Sequence, residues 1–498
     1  MVPLQQNSYV KKMNVDKKAK TAAIWAYSGT FAKICIQFVS QIILARQLGP
    51  GEYGVFAVGL TVVSLSVLFA DSGAGAALIQ KKQLENDDIA FSLTVQLMLG
   101  ALITAAIMLC APAIADFYGE PRAINVIRWL AIVVMLTAVG SISNCLLKRT
   151  LDFKTIQLAQ VTGFFCGYVL VGIPLSLNGY GVWSLVAAWV MQSLVNISIC
   201  YYRVKHPLSL TLRGGDKILS FGFTTMLSNL ASWFSANVDK VVVGRFFSTA
   251  ELAVYTIPFT FLGTLCSQFI ATLQPVFFSS ASRLQDDKDT LMANLLIIIE
   301  IVCLLIIPIL ATIATVPEVV IQVIYGAKWV PAAPIMQAAA ISFVFVSISG
   351  LLTPVLWGVG RVKIELFPQL ATGLGLLLAT IAFAHQSMLT IAWIVSVLFC
   401  FRLAWIIVSI NYIFKLPSSA ICKALAPGVI TALVCSLVAK IISKIFDYYK
   451  VNDFMVFIIL VLISILVVIF CLHVMKNNIL SKSLRKKLSE INIITRFV

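Results

Sequence analysis

The sequence predicts an all-α integral membrane protein with about 14 transmembrane helices. Of its 498 residues, 60% are hydrophobic and 12% are charged, and the mean hydropathy is +0.97. Apolar runs recur from about residue 22 to residue 475, and the longest hydrophilic interruption is 203–217. That interruption is far too short for a folded catalytic domain. Any activity must therefore reside within the membrane body or at its rims.

The predicted spans are runs of roughly 20 apolar-rich residues, which is the length that crosses a bilayer. The first run follows a basic N-terminal segment and is too long for a signal-peptide core, so we expect it to be retained. The spans are 22–46, 54–79, 89–115, 123–147, 155–177, 181–202, 218–246, 252–278, 290–315, 332–358, 364–384, 388–414, 422–446 and 452–475.

Lysine and arginine mark alternate connections between these spans. They cluster in the N-terminal segment, in QKKQ, in LKRTLDFK, in 203–217 and in the C-terminal SKSLRKKLSE, whereas LNGYG, FYGEPR and AHQSM nearly lack them. Because basic residues concentrate in cytoplasmic loops, both termini are predicted to be cytoplasmic. The net charge of +16 then reflects topology, and no nucleic-acid partner is expected.

An internal repeat divides the chain. The stretch QIILARQLGPGEYGVFAVGLT aligns without gaps to KVVVGRFFSTAELAVYTIPFT, 199 residues later. Six spans per copy keep both copies in one orientation, which predicts two six-helix bundles related by a pseudo-two-fold axis along the membrane normal, plus two extra C-terminal helices. The predicted segments are a cytoplasmic N-terminal segment 1–21, an N-terminal bundle 22–205, a cytoplasmic loop 206–217, a C-terminal bundle 218–414, two additional helices 415–475 and a cytoplasmic basic tail 476–498.

Gly49, Gly51 and Gly54 have the G-x-G-x-x-G spacing of dinucleotide-binding loops. That motif requires a preceding strand, but here both flanks are membrane-length apolar runs, and FFSTAEL, the corresponding turn in the second copy of the repeat, has no glycine. We therefore interpret the glycines as an outward-facing turn between spans one and two. Four charged residues, two beside this turn and two at the equivalent positions of the second copy, are interpreted as structural complements to helix dipoles or, alternatively, as lining the outer mouth of a cavity. They are Arg46, Glu52, Arg245 and Glu251.

Polar and ionisable residues inside the spans are the candidates for function, because a charge at the bilayer centre costs about 2.5–3.5 kcal/mol and normally faces water or a partner. One face of the first span carries a polar stripe of Thr30, Lys33, Gln37, Ser40 and Gln41. The repeat transfers this stripe to the seventh span, which predicts a polar central cavity. For the uncharged members, interhelical hydrogen bonding is an equal alternative. The candidate cavity residues are Lys33, Gln37, Gln41, Asp239, Lys240 and Arg402.

Two carboxylates are candidates for proton coupling. Arg402 lies near the middle of span twelve, where it is expected to face a cavity or an acidic partner. Glu300 is a candidate for that partner or is a separate titrating site. Asp71 precedes the small-residue run SGAGAA and either caps a close-packed seam or acts as a functional carboxylate.

Several chemistries find no support in the sequence. There is no P-loop motif, and the three histidines are far apart. The eleven cysteines are scattered without a C-x-x-C pair, as expected of small buried hydrophobes. We therefore expect no metal, no cofactor and no enzymatic activity, and any transport is predicted to be secondary.

The stretches LARQLGPGEYGVFAVGLTVVSLSVLFADSGAGAALIQ, VDKVVVGRFFSTAELAVYTIPFTF and LLKRTLDFK resemble the Wzx-type polysaccharide flippases. These form the polysaccharide transporter family of the multidrug/oligosaccharidyl-lipid/polysaccharide exporter superfamily. The resemblance spans nearly the whole chain and fits a branch handling colanic-acid or lipopolysaccharide-type repeat units. As for a functional site, the resemblance implies only a cationic cavity. In this sequence the residue that corresponds to it is first Lys33, followed by Arg402 and Lys240.

The resemblance also implies a function and a location. It implies transfer of undecaprenyl-diphosphate-linked oligosaccharide from the cytoplasmic to the periplasmic leaflet of a bacterial inner membrane, by alternating access, for exopolysaccharide or lipopolysaccharide biosynthesis. A polysaccharide polymerase and chain-length machinery are its implied partners. A cation-coupled multidrug exporter of the same superfamily, which should prefer an acidic cavity, is the main alternative. A membrane-embedded polymerase is a second, but it needs a larger loop than any here.

Overall fold

The protein, analysed as a computed structural model, is built from helices. The structure describes residues 4–70, 78, 81, 84–211, 216–283, 288–359, 361–414, 418–449 and 452–475, and no strand occurs within these ranges. The predicted all-α class is confirmed for this part of the chain.

The helices follow one another through short connections. Between α4 and α5 the chain continues as a π-helix over Phe165–Gly172, and Ala327–Ala332 forms a 3-10 helix between α10 and α11. The α-helices are α1 (Leu4–Ala70), α2 (Asn86–Tyr118), α3 (Ala123–Arg149), α4 (Phe153–Phe164), α5 (Ile173–Leu177), α6 (Val182–Val204), α7 (Asp216–Phe246), α8 (Thr249–Arg283), α9 (Lys288–Thr315), α10 (Pro317–Ile324), α11 (Ala333–Gly358), α12 (Val362–Ala382), α13 (Met388–Phe414), α14 (Ser418–Tyr448) and α15 (Asp453–Met475).

Within the described residues, each predicted span falls on a helical segment, while most of 71–79 lies outside those residues. Among the described residues, 12 stretches are long and apolar enough to cross a bilayer. The first, Ser28–Phe69, has 42 residues. A straight helix of this length would rise about 63 Å, roughly twice the ~30 Å hydrocarbon core, so the stretch contains two spans. The multi-pass membrane class is confirmed, while the two-bundle arrangement and the domain limits stay predictions.

The first two spans meet at Gly49. Its φ of 73° and ψ of −179° lie where glycine is favoured, because a side chain would clash there. Pro50 follows, and proline is well suited to begin the next helical segment. The interpretation of all three glycines as a turn was too simple, since Gly51 and Gly54 lie within that next segment.

Helix contacts divide the chain into two compact units. Unit 1 comprises Met1–Phe234 with Phe247–Ala253, and unit 2 comprises Ser235–Phe246 with Val254–Val498. In unit 1, α3 packs against α1, α2 and α6, and it contributes fully buried side chains such as Ile127 and Leu130. Burial on several sides makes α3 the central helix of this unit.

The two additional C-terminal helices are part of unit 2. Helix α14 packs along α9, where Gly428 lies directly against the backbone of Cys303. Helix α15 contributes Cys471 to a buried cluster with Ile297 and Leu304 of α9. These helices therefore share the apolar core of unit 2.

We predict that Gly54 tolerates no side chain, although its neighbour Gly51 does. A Cβ at position 54 would overlap the backbone carbonyl of Thr249, whereas a Cβ at position 51 meets nothing within 4 Å. Gly54→Ala should destabilise the protein by about 1–3 kcal/mol through overpacking. Gly51→Ala should be neutral or stabilising by up to about 1 kcal/mol. Thermal unfolding of both purified variants checks this, and equal stability would contradict the contact.

Candidate functional site

Lys33 lies where α1 and α4 touch. It is half-buried, and its Nζ donates a hydrogen bond to Gln160 Oε1 at 3.3 Å. One turn earlier, Gly29 packs against the side chain of Gln157, where a Cβ would overlap it. Gly29 thus allows α1 and α4 to approach closely. This approach brings the ammonium group of Lys33 to the side-chain amide of Gln160 within the predicted first span.

Further polar groups extend this contact, which we call the α1/α4 seam. Lys154 Nζ lies 5.0 Å from the centre of the Trp25 ring, a distance typical of cation–π attraction. Gln157 is 9% exposed, and its Oε1 has no hydrogen-bond partner among the described residues. The α1/α4 seam consists of Trp25, Gly29, Lys33, Lys154, Gln157 and Gln160.

Sequence reasoning selected only Lys33 from this seam, and it counted Lys154, within LKRTLDFK, only as part of a basic connection predicted to be cytoplasmic. Lys154, Gln157 and Gln160 are spaced three residues apart, which places them within about 120° on one side of α4. The stripe search applied to span one would have found them in span five. Trp25 carried no comparable signal, because an aromatic residue at the start of an apolar run is common.

The rest of the predicted stripe on α1 is unevenly exposed. Gln37 and Gln41 are half-buried, whereas Ser40 is fully buried. The backbone carbonyl of Gln41 accepts a hydrogen bond from the Tyr53 hydroxyl at 3.4 Å. A cavity-lining role for Gln37 and Gln41 stays a prediction.

Asp239 and Lys240 are sequence neighbours in different surroundings. Asp239 is 4% exposed, and its Oδ2 accepts a hydrogen bond from the Tyr255 hydroxyl of α8 at 2.7 Å. Its Oδ1 has no hydrogen-bond partner among the described residues. Lys240 Nζ donates to Asn237 Oδ1 at 2.9 Å and to the Ala236 carbonyl at 3.1 Å, both on α7 itself. The carboxylate is therefore packed between α7 and α8, whereas the ammonium turns back along α7.

Arg402 has an acidic partner, but it is Glu365 rather than Glu300. Arg402 Nη2 lies 2.6 Å from Glu365 Oε1, and the two side chains are only 17% and 6% exposed. The pair joins α13 to α12 within unit 2. Glu365 was missed because it follows Arg361 near the start of a span, where a charge is expected at the water interface.

The two candidate coupling carboxylates remain predictions. Glu300 is 2% exposed within α9. Asp71 lies outside the residues that the structure describes.

The charged residues near the Gly49 turn contribute to a network that we call the Arg122 cluster, formed by Glu52, Glu120, Arg122 and Thr249. Arg122 lies 2.9 Å from Glu120 and 3.3 Å from Glu52. Glu52 Oε2 also accepts from the backbone N–H of Val182 at 2.6 Å, and Glu120 accepts from the Thr249 hydroxyl at 2.8 Å. The dipole that Glu52 complements is thus that of α6.

Glu251, the repeat counterpart of Glu52, binds at the start of its own helix. Its Oε2 accepts from the backbone N–H and the hydroxyl of Ser248, and the Ser248 hydroxyl in turn accepts from the Glu251 N–H. This reciprocal arrangement is a capping box. Arg46 and Arg245 are both exposed.

Glu120 should make the stability of the Arg122 cluster pH-dependent. The hydrogen bond from Arg122, with that from Thr249, holds the pKa of Glu120 below its usual 4.5. A carboxyl with a lowered folded-state pKa stabilises the fold above its unfolded-state pKa, and this contribution is lost as pH falls through the folded-state value. Glu120→Gln should therefore melt below wild type near pH 7, and the gap should begin to narrow once the pH falls below 4.5.

Thermal unfolding between about pH 7 and pH 4 measures this gap. Asp116→Asn, which alters a nearby exposed carboxyl outside the Arg122 cluster, is the control variant. A difference between Glu120→Gln and wild type that stays constant over this range would contradict the assignment.

The buried Arg402–Glu365 pair should show strong coupling. Removing one partner leaves an uncompensated buried charge and costs about 3–5 kcal/mol, whereas replacing both with apolar residues is often neutral. We expect Arg402→Leu and Glu365→Leu each to destabilise the protein and the double variant to recover most of the loss. A double-mutant cycle on unfolding free energies checks this, and additive effects would contradict it.

Comparison with known proteins shows that the chain is similar to proteins of polysaccharide biosynthesis. A family described as polysaccharide biosynthesis protein matches residues 43–334. The succinoglycan biosynthesis transport protein ExoT of Rhizobium meliloti is 24% identical, with 68% of each chain covered. The teichuronic acid biosynthesis protein TuaB of Bacillus subtilis is 23% identical over 95% of this chain and 99% of the relative.

The fold also matches a solved structure. The lipid II flippase MurJ, in an inward closed conformation, superposes with a TM-score of 0.76 at 16% identity, covering 91% of this chain and 99% of the other. At this identity the likeness shows the fold alone. The family match covers more than half of the sequence and agrees with the resemblance seen in the repeat stretches. The chain belongs to the polysaccharide biosynthesis protein family.

Proposed function

We propose that this protein is a flippase for undecaprenyl-diphosphate-linked oligosaccharide repeat units, which it moves from the cytoplasmic to the periplasmic leaflet of a bacterial inner membrane. The family and the names of its relatives support a role in polysaccharide export. The flippase fold of MurJ supports movement of a lipid-linked substrate. In this proposal the protein is a transporter and not an enzyme, and it supplies units to a polysaccharide polymerase and chain-length machinery.

The α1/α4 seam is the observation that carries this proposal. Lys33 presents a half-buried ammonium group within a span, and only one of its N–H donors is engaged by Gln160 among the described residues. A diphosphate is doubly anionic or nearly so, and its desolvation in a membrane is unfavourable without charge-assisted hydrogen bonds. Lys33 would provide such bonds, and the amides of Gln157 and Gln160 would bind sugar hydroxyls beside them.

The seam also suggests a path for the headgroup. Lys154 and Trp25 lie at the end of the seam nearest the connections predicted to be cytoplasmic, and Lys33 lies deeper along α1. A headgroup could first meet Lys154 and then Lys33, with Gln37 and Gln41 further along. The lipid chain would stay in the bilayer throughout, so that only the polar head requires a protein environment.

The membrane potential favours the proposed direction. With both termini cytoplasmic, outward movement of negative charge across an inside-negative potential gains roughly 2.3 kcal/mol per charge per 100 mV. Alternating access of the two predicted bundles would carry the head across, and protonation of Asp71 or Glu300 could add ion coupling.

The charges disfavour the alternative of a multidrug exporter. Such an exporter for cationic drugs should offer acidic groups to its substrate. In this chain Asp239 is packed against Tyr255, and Glu365 is neutralised by Arg402. Lys33 would repel a cationic drug.

We expect Lys33→Ala to reduce translocation by about tenfold or more, because a hydrogen bond to a charged group contributes about 1.5–3 kcal/mol. The measurement is complementation of a flippase-deficient strain, with labelled lipid-linked sugar units followed across the membrane. Lys148→Ala removes an exposed positive charge at the end of α3 and should leave translocation unchanged.

Two outcomes would count against these ideas. A Lys33→Ala protein that inserts normally and translocates at the wild-type rate would remove Lys33 from the substrate path. A wild-type protein that inserts normally but leaves the sugar units facing the cytoplasm would overturn the flippase assignment itself.

A further inference from the structure

The fifth predicted span contains a π-helix, Phe165–Gly172, between α4 and α5. At its end the N–H of Ile173 donates to the carbonyl of Tyr168, five residues earlier. An α-helix closes each bond over four residues, so a short π-helix holds about one surplus residue. Such segments are rare and occur frequently at functional sites. This one directly follows α4, the helix that forms one side of the α1/α4 seam.

Pro174 explains why the surplus residue is held at this place. It lies in the first turn of α5, directly after the π-helix. In a regular α-helix a proline ring clashes with the carbonyl four residues earlier, which here is that of Leu170. The wider turn of a π-helix moves this carbonyl away from the ring. Pro174 therefore disfavours a regular α-helix through this part of the span.

The two ends of the span are attached with different strength. After α5, the backbone N–H of Val182 donates to Glu52, a member of the Arg122 cluster. At the start of α4, Asp152 pairs with Arg203 of α6 at 3.3 Å, but the Arg203 side chain is 67% exposed. Exposed ion pairs contribute little to stability. The α4 end is thus the more weakly attached of the two.

The span presents glycines to α6. A Cβ at Gly163 would come within 2.9 Å of the carbonyl of Gln192, and a Cβ at Gly167 would overlap the carbonyl of Ala188. Small residues let two helix backbones approach without interlocking side chains. A rotation of the span against α6 therefore meets no interdigitated side chains at these two positions.

Absorbing the surplus residue into a regular α-helix would turn α4 by about 100° and shift it by about 1.5 Å relative to α5. Each residue of α4 would then take the direction that its predecessor has now. Gln157 would take the direction of Ile156, and Gln160 that of Ala159. Ile156 and Ala159 lie in a buried cluster with Cys200 of α6. The rotation would thus move both amides from α1 toward α6.

Polar partners are present on that side. The Cys200 thiol contacts Asn144 Oδ1 of α3 at 3.8 Å and Asn196 Oδ1 of α6 at 3.9 Å. Two amides therefore border the cluster that Gln157 and Gln160 would enter. A rotation into hydrocarbon alone would be unfavourable for these polar groups, whereas this direction offers them hydrogen bonds.

We propose that the π-helix is a register switch, which moves the Gln157 and Gln160 amides between α1 and α6 during transport. The inference rests on the proposed function. In the present register Gln160 accepts a hydrogen bond from Lys33. In the rotated register Gln160 leaves Lys33, and the ammonium group is released for the diphosphate. The rotation of one span thus regulates anion binding at the α1/α4 seam.

The test uses a cysteine pair, Gly29→Cys with Gln157→Cys, in the full-length protein in vesicles of phosphatidylethanolamine and phosphatidylglycerol. The Cβ positions of the two residues meet in the present register, so mild oxidation should join them in a disulfide. A rotation of about 100° separates them. Mass spectrometry of the linked peptides measures the yield.

Two variants of the span should change this yield in opposite directions. Pro174→Ala removes the clash that disfavours a regular α-helix, and we expect the yield to fall about threefold or more. Deleting Leu170, which is 57% exposed, from Pro174→Ala removes the surplus residue, returns α4 to its present direction and should restore the yield. Pro112→Ala, inside the regular helix α2, is the matched control and should cross-link as the wild type does.

An unchanged yield in Pro174→Ala would overturn the inference. So would a Leu170 deletion that does not restore the yield, because the loss would then reflect a general loosening of the helix. A Pro174→Ala protein that fails to insert would also contradict it, since the regular helix would not be an accessible state.

Translocation separates this inference from the proposed function. Without the cysteine pair, the Pro174→Ala protein that lacks Leu170 is fixed in one register and should translocate sugar units about tenfold or more slowly. A wild-type rate in this variant would overturn the switch and leave the flippase assignment standing. If the wild type does not translocate, the flippase assignment fails, and the cross-linking yields still decide whether the register changes.

Discussion

Three charged side chains inside the spans of this protein contact partners on other helices, because lipid tails offer no hydrogen bonds. Lys33 meets Gln160, Arg402 meets Glu365, and Asp239 meets Tyr255. Each contact fixes how two helices face each other, since rotating either helix would leave a polar group in hydrocarbon. The helices are thus oriented by a few polar contacts as well as by apolar packing.

Those contacts differ in whether the charge of the buried group is neutralised by its partner. The Arg402–Glu365 pair satisfies both charges and serves mainly to join α12 to α13. Among the described residues, Lys33 contacts only a neutral amide, so its positive charge is not neutralised there by an acidic partner. This contrast explains why the α1/α4 seam, and not the larger buried ion pair, is the better candidate for anion recognition.

The spans and the broad class could be predicted from the sequence, because the length and apolarity of a run decide whether it crosses a bilayer. The partners could not be predicted. Lys33 and Gln160 are 127 residues apart, and no local period reveals which helices become neighbours. The repeat was also misleading in detail. Glu52 and Glu251 occupy equivalent positions, but Glu52 binds the start of the distant helix α6, whereas Glu251 binds the start of its own helix, α8.

The position of residues 247–253 affects how the protein is made. They follow α7 in the chain but belong to unit 1, where Thr249 contacts Gly54 and Glu120. A ribosome releases them only after α1 to α7 have been synthesised. Packing of unit 1 is therefore completed only after translation has passed residue 253. Its assembly depends on a segment that lies in the second copy of the repeat.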